Sequence, residues 1–386
     1  MKFFVMRLFI LALSIVVCIS CKKESNNPAP NPNPNPQPAS IPQVDNAISG
    51  FMTQYNVPGL SLAISKNGKL VYAKSYGKAD VTAGTDVTNS SLFRIASVSK
   101  PITGIAIMKL VEAGQLNLDQ KVFGAGSILG TQYGTQPYGP NITNITVRHL
   151  LHHVSGGWPN NATDAMFSNP TLTLDQLISW ALDNQPLQHT PGTNFAYSNF
   201  GYAVLGKVIA KISGQTYEQY VKTNVLQPAG ISNMSIGGST EAERKNNEVK
   251  YYGQGGQNPY GFNLPRMDAN GGWIATATDL VKLLVRVDGF STKADILNAA
   301  SITTMTTPSS ITNYALGWNV NTNNHWWHIG SLPGTISQVV RTSTGYTWAM
   351  VANTRATSGS FATDFDGLMW QAVNNNATQW PDVDLF

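Results

Sequence analysis

Cysteine is almost missing from this chain: 386 residues hold two, Cys18 and Cys21, both near the start. If the folded part lies beyond them, it is held without disulfides. Charge is sparse too, at 12% of residues, with 25 basic against 21 acidic side chains. No basic stripe stands out, which argues against a surface built to neutralise nucleic-acid phosphates. The apolar run Leu8–Ile19 is too short to cross a bilayer comfortably. A Gly-x-Ser-x-Gly elbow and a phosphate-cradling glycine loop are both absent. The first of these two gaps removes the α/β-hydrolase alternative.

What is present begins with Lys2 and Arg7 ahead of the apolar run, which ends at Ser20-Cys21. A charged start, a short apolar core and a small residue read as a signal peptide over 1–20. The junction resembles a bacterial lipoprotein box, although Cys18 stands where leucine is usual. That resemblance implies that Cys21 is lipidated; a plain secretory signal or an uncleaved anchor is the alternative. Residues 22–40 read "KKESNNPAPNPNPNPQPAS". Proline at alternate positions removes amide donors and favours an extended spacer. The expected layout is a signal peptide over 1–20, a lipidated linker over 21–40 and one domain over 41–386. Such a protein would be exported and lipid-anchored to the bacterial cell envelope, touching the membrane only through its anchor.

Within the domain, Val44, Ala47, Ile48, Phe51, Met52 and Tyr55 fall on one helical face. Two strand-like runs then flank Asn67-Gly68, a hairpin signal. A long middle part of loops and helices includes "GYAVLGKVIAKISG". Strand patterns return in "YALGWNV", "TISQVVRT" and "YTWAMVANT", and a last helix carries Phe361, Phe365, Leu368, Met369 and Ala372. The expected class is α/β in the α+β sense: an antiparallel sheet assembled from both chain ends, flanked by helices, with a mostly helical insertion. A cleft between sheet and insertion is a natural ligand site.

"RIASVSK" precedes the apolar helix "PITGIAIMKL". Ser97 and Lys100 are three apart, so they meet if a helix starts near Ser97. Pro101 suits a first turn. Burial lowers a lysine pKa, and a neutral lysine beside a serine is a base able to deprotonate it. The backbone amide at such a helix start is also free to bind an oxyanion. The spacing alone is weak, since Ser20-Lys23 and Ser75-Lys78 share it; a surface lysine at a helix start is the plain alternative.

Two further motifs follow in order. Tyr197-Ser-Asn199 is the only Tyr-x-Asn, and His328-Ile-Gly330 the only His-x-Gly. Together with Ser97-x-x-Lys100 they resemble the signature of the serine β-lactamase and penicillin-binding-protein superfamily. "ITVRHLLHHVSGG", "NGGWIATATDL" and "HIGSLPGT" are similar to stretches of its class C, DD-peptidase and esterase branches. The resemblance implies that Ser97 is the acyl-accepting nucleophile and Lys100 the acylation base. Tyr197 would share protons with it and protonate the leaving group. Asn199 would bind the substrate side chain, and His328 would complete the polar network and contact the substrate. Gly330 would let the strand edge approach, and the amide of Ser331 would complete the oxyanion hole. No metal or organic cofactor is expected. The implied partner is a small molecule or peptide: a β-lactam, a peptidoglycan stem peptide or an ester, with no nucleic acid. Histidine is less reliably cationic than the lysine found in many members, so efficient β-lactamase activity is not implied.

Other readings remain. His149, His152 and His153 sit close together, but Leu150 stands where a zinc helix needs glutamate, leaving caps and core-edge packing. Trp158 and Trp273 suit either a cleft or the core, as do Trp318, Trp326 and Trp327. The rival from another class is a non-catalytic binding lipoprotein that keeps the fold without the chemistry.

Overall fold

The computed structural model describes residues 40–386 except 358, 376 and 377, so the expected signal peptide, Cys21 and most of the linker lie outside the described residues. Alternation sets the first strand. In β1 (Gly59–Lys66), Leu60, Leu62 and Ile64 point to one face and Ser61, Ala63 and Ser65 to the other, and all are buried. A strand buried on both faces must be covered by a layer on each side. Asn67 and Gly68 take φ of 50° and 74°, the mirror-image turn that matches strand twist, and lead into β2 (Lys69–Asp80).

The other strands of the main sheet are β3 (Thr85–Asp86), β4 (Asn319–Val320), β5 (Trp326–Leu332), β6 (Thr335–Arg341) and β7 (Tyr346–Ala352). They form one antiparallel sheet in the order β3-β2-β1-β7-β6-β5-β4. The seam between chain ends is the β1–β7 pair, with Leu60 opposite Ala352 and Lys66 opposite Tyr346. The expected assembly of one sheet from both ends is what the chain adopts.

One face is covered by α1 (Pro42–Tyr55) and by Phe361–Asn374 near the C-terminus. Val44, Ile48 and Phe51 pack there with Leu62, Trp348, Met350, Phe365 and Met369. The other face carries the insertion. Its central helix, α2 (Ser99–Glu112), is apolar nearly all round, and Ser99 through Met108 are buried. A helix without a polar face must be surrounded by protein, and Gly104 permits that, since a β-carbon there would strike the Leu316 carbonyl oxygen. Helix α3 (Asn199–Ser213) begins earlier than its apolar run because Ser198 caps it, accepting the Gly201 amide at 2.9 Å. Gly214, at φ 69°, ends it. Among the described residues no helix is long and apolar enough to cross a membrane.

Candidate active site

The short strand Phe93–Arg94 pairs with Trp273–Ala275. Beyond it the chain kinks at Ala96, whose φ is 45°, into the 3-10 turn Ala96–Val98 that leads into α2. A positive φ away from glycine is uncommon and clusters at functional sites; here it aims Ser97 into a cavity of about 340 Å³. One turn on, Lys100 has no exposed surface. Its Nζ lies 3.1 Å from Ser97 Oγ, 2.8 Å from Asn199 Oδ1 and 2.9 Å from the Asn270 carbonyl oxygen. The two carbonyl-type oxygens can only accept, so they take two N–H bonds. The third direction, toward Ser97, carries a proton when Lys100 is charged and a lone pair when it is neutral. Burial pulls the Lys100 pKa down to about 7 against the opposing charge of Asp164. Near neutrality the amine is therefore poised between donor and acceptor to Ser97.

Tyr197 and Asn199 arrive together on the turn into α3. The Lys100 ammonium lies 4.8 Å from the centre of the Tyr197 ring, and the Ser97 side chain is near enough to the Tyr197 hydroxyl to oppose part of its burial shift. Burial pushes that hydroxyl pKa up, so it keeps its proton at neutral pH and is equipped to give it away. Asn199 is 5% exposed, and its Nδ2 donates to Asp164 Oδ2 at 2.8 Å. The structure thus brings Ser97, Lys100, Tyr197 and Asn199 into one network.

The third motif departs from the expectation at His328. The resemblance sets His328 against the substrate; the structure buries it to 2% exposure behind the cavity wall. Its Nδ1 faces the Ile329 carbonyl oxygen at 2.8 Å, so Nδ1 carries the proton and Nε2 accepts from the Tyr314 hydroxyl at 2.9 Å. Desolvation, with Lys100 nearby, lowers its pKa to about 3, so it is neutral and supplies no cation. Gly330 is explained by the nucleophile's own turn: a β-carbon would run into the Ile95 carbonyl oxygen and crowd the Ser97 amide. Ser331, exposed on the same strand, lines the cavity.

Sequence reasoning missed several neighbours. The cavity wall includes Phe167, Phe262, Met267, Leu332 and Arg355. Arg355 is the charged member of that wall; its Nη1 donates to Ser331 Oγ at 3.0 Å and its Nε to Gln257 Oε1 at 3.1 Å. Nothing local marks it, because it follows a strand far along the chain. His153 is not at a core edge. It is 1% exposed, its ring lies 4.2 Å from that of Tyr197, and its Nδ1 accepts the Ser198 amide at 3.0 Å. His149 serves as cap partner of Thr146, and His152 donates to the Tyr314 carbonyl. Trp273 and Trp158 are core: their indole N–H groups bond to Tyr217 and to the Gln185 carbonyl.

Comparison with known proteins identifies the family. The family model described as Beta-lactamase matches residues 44–369. "Protein flp" of Staphylococcus aureus strain N315 is 28% identical over 299 residues, 75% of this chain and 58% of that protein. A beta-lactamase of Yersinia enterocolitica is 30% identical over 194 residues, 50% of this chain and 46% of that one. The matched segment thus spans about half the length of these curated relatives. Among solved structures, the octameric penicillin-binding protein homologue of Pyrococcus abyssi superposes with a TM-score of 0.68 at 27% identity, covering 86% of this chain and 78% of that one. A D-amino acid amidase of Ochrobactrum anthropi SV3 gives 0.69 at 24% identity, covering 86% and 99%, a likeness of fold.

Proposed function

The chain belongs to the beta-lactamase family of serine hydrolases, and from that premise we propose that it cleaves an amide or ester through an acyl-enzyme on Ser97. The observation that carries the reading is Lys100 Nζ, buried and 3.1 Å from Ser97 Oγ, with its other two directions fixed by carbonyl oxygens. Ser97 Oγ attacks the substrate carbonyl carbon as its proton passes to the Lys100 lone pair. The backbone amides of Ser97 and Ser331 receive the developing oxyanion. When the C–N or C–O bond breaks, the Tyr197 hydroxyl gives its proton to the leaving group and regains one from Lys100. Water then attacks the acyl carbon, loses a proton to the same pair, and frees Ser97.

The cavity supports a substrate with an anionic group beside the scissile bond. His328 is neutral, so the cation on the wall is Arg355, which keeps N–H groups beyond those spent on Ser331 and Gln257. The apolar side chains Phe167, Phe262 and Met267 suit the other end of the acyl group. β-Lactams and D-alanyl peptides both carry a carboxylate there. Residues 21–40 would hold the enzyme at the envelope through a lipid on Cys21, once the signal peptide over 1–20 is removed.

The deciding test is intact mass after incubation with a β-lactam, with Ser97→Ala as control. A Ser97-dependent adduct is expected: a long-lived one would indicate the penicillin-binding type and a short-lived one a β-lactamase. If the folded wild type forms no adduct with β-lactams, D-alanyl thioesters or activated esters, the acyl-transfer reading fails and the binding lipoprotein takes its place.

A further inference from the structure

Asn199 faces two ways. Its Oδ1 accepts from Lys100 and its Nδ2 donates to Asp164, both at 2.8 Å. A side-chain amide can turn over and exchange those atoms, which would aim N–H groups at the lysine. Asp164 prevents the exchange. Its Oδ2 accepts from Asn199, and its Oδ1 accepts the Met166 amide at 2.9 Å as the cap of the short helix Ala165–Ser168. Burial raises the Asp164 pKa, while the N–H donors on both oxygens and the nearby Lys100 oppose that rise and fit the carboxylate. Asp164 is 2% exposed, and its helix is tied from the far side by Arg266, whose guanidinium bonds to the carbonyls of Met166, Asn169 and Leu172.

We propose that Asp164 is a positioning residue for the lysine: acting through Asn199, it fixes the acceptor that Lys100 faces and sets the charge that Lys100 feels. The proposal rests on the acyl-transfer reading only for its kinetic consequence. Other titratable groups surround Lys100. Tyr197 and Tyr202 come from the turn into α3 and from the helix itself, Tyr217 sits behind Thr103, His153 follows Val147–Leu151, and His328 lies on β5. Burial keeps these tyrosines protonated and these histidines neutral. The carboxylate is thus the charge that opposes desolvation at Lys100. A negative neighbour stabilises the ammonium, so its removal lowers the Lys100 pKa.

The test uses Asp164→Asn and Asp164→Ser. Both keep a capping oxygen for the Met166 amide and remove the charge. Two midpoints are measured in wild type and variants: the acid limb of Ser97 acylation by an activated ester, and the Lys100 titration by NMR of 13Cε-lysine-labelled protein, its signal identified by loss in Lys100→Arg. Both midpoints should move down by about one pH unit, with thermal unfolding within a few degrees of wild type. An unchanged NMR midpoint in either folded variant overturns the proposal and leaves Asp164 as a helix cap. If the wild type is not acylated at all, the acyl-transfer reading fails, yet the NMR midpoint still decides the role of Asp164.

Discussion

At the scale of single residues, the chemistry turns on one proton. Lys100 can serve as base only when neutral, and its pKa stands near 7. Below that value Nζ donates toward Ser97 and cannot take its proton. The rate of Ser97 acylation should therefore rise with pH through a midpoint near 7. A profile flat from pH 5 to 9 in a folded enzyme would remove Lys100 from the base role. Arg355 has a narrower task. Arg355→Gln should lower kcat/KM by about tenfold or more for a carboxylate-bearing substrate, the loss of a charge-assisted pair, and leave a neutral ester of the same acyl group nearly unaffected. Equal losses on both would show that Arg355 merely props the wall.

At the scale of elements, the site depends on how closely β5 approaches the turn that carries Ser97. Gly330 makes that contact possible because the space a β-carbon would need is held by the Ile95 carbonyl oxygen and Ser337 Oγ. Ser337 Oγ donates to that carbonyl at 2.6 Å, which ties β6 to the same turn. Gly330→Ala should cost about 1–3 kcal/mol by overpacking. Because the relief must come from moving Ser97, acylation should fall further than the stability loss predicts. Urea unfolding and acylation rates measured side by side decide this; a destabilised variant with a wild-type rate would mean the strain escapes elsewhere.

At the scale of the whole molecule, the sheet separates two cores. Phe365 lies on the face away from the cavity, fully buried against Phe51 and Phe361. Phe365→Ala should cost about 3–5 kcal/mol and leave acylation at low temperature unchanged, as read by urea midpoint and burst kinetics. A lost burst in the folded variant would show that the layers are coupled. Acid should act on the side of the site. His153 and His328 are buried neutral, His328 with a pKa near 3, whereas the unfolded chain protonates them near 6.5. Their folded pKa values are depressed, so the stability they allow is present above about pH 6.5 and is lost as pH falls toward 3. Substituting His328 by glutamine should flatten that part of the stability curve; an unaltered acid slope would assign it to carboxylates instead.

The sequence by itself determined the long strands β1, β2, β6 and β7, the hairpin at Asn67-Gly68, the amphipathic first and last helices and the order of the three motifs. Each of these is written in local periodicity or in adjacent residues. Strand β5, which carries His328 and Gly330, was not among its strand patterns. Ser97 and Lys100 were legible because one helical turn joins them, and Tyr197 and Asn199 because they sit two apart. Only the tertiary structure decided what surrounds them. Asp164 reaches Asn199 from a separate short helix, and its sequence signal is no more than that of a helix cap. Arg355 enters the cavity from the end of the sheet, and Asn270 contributes a backbone oxygen that any residue could supply. His328 looked like a substrate contact and is a buried, neutral partner of Tyr314, since depth below a surface is not encoded in spacing. Motif chemistry follows from neighbours along the chain. The charge state of that chemistry follows from burial and from partners that only folding brings together.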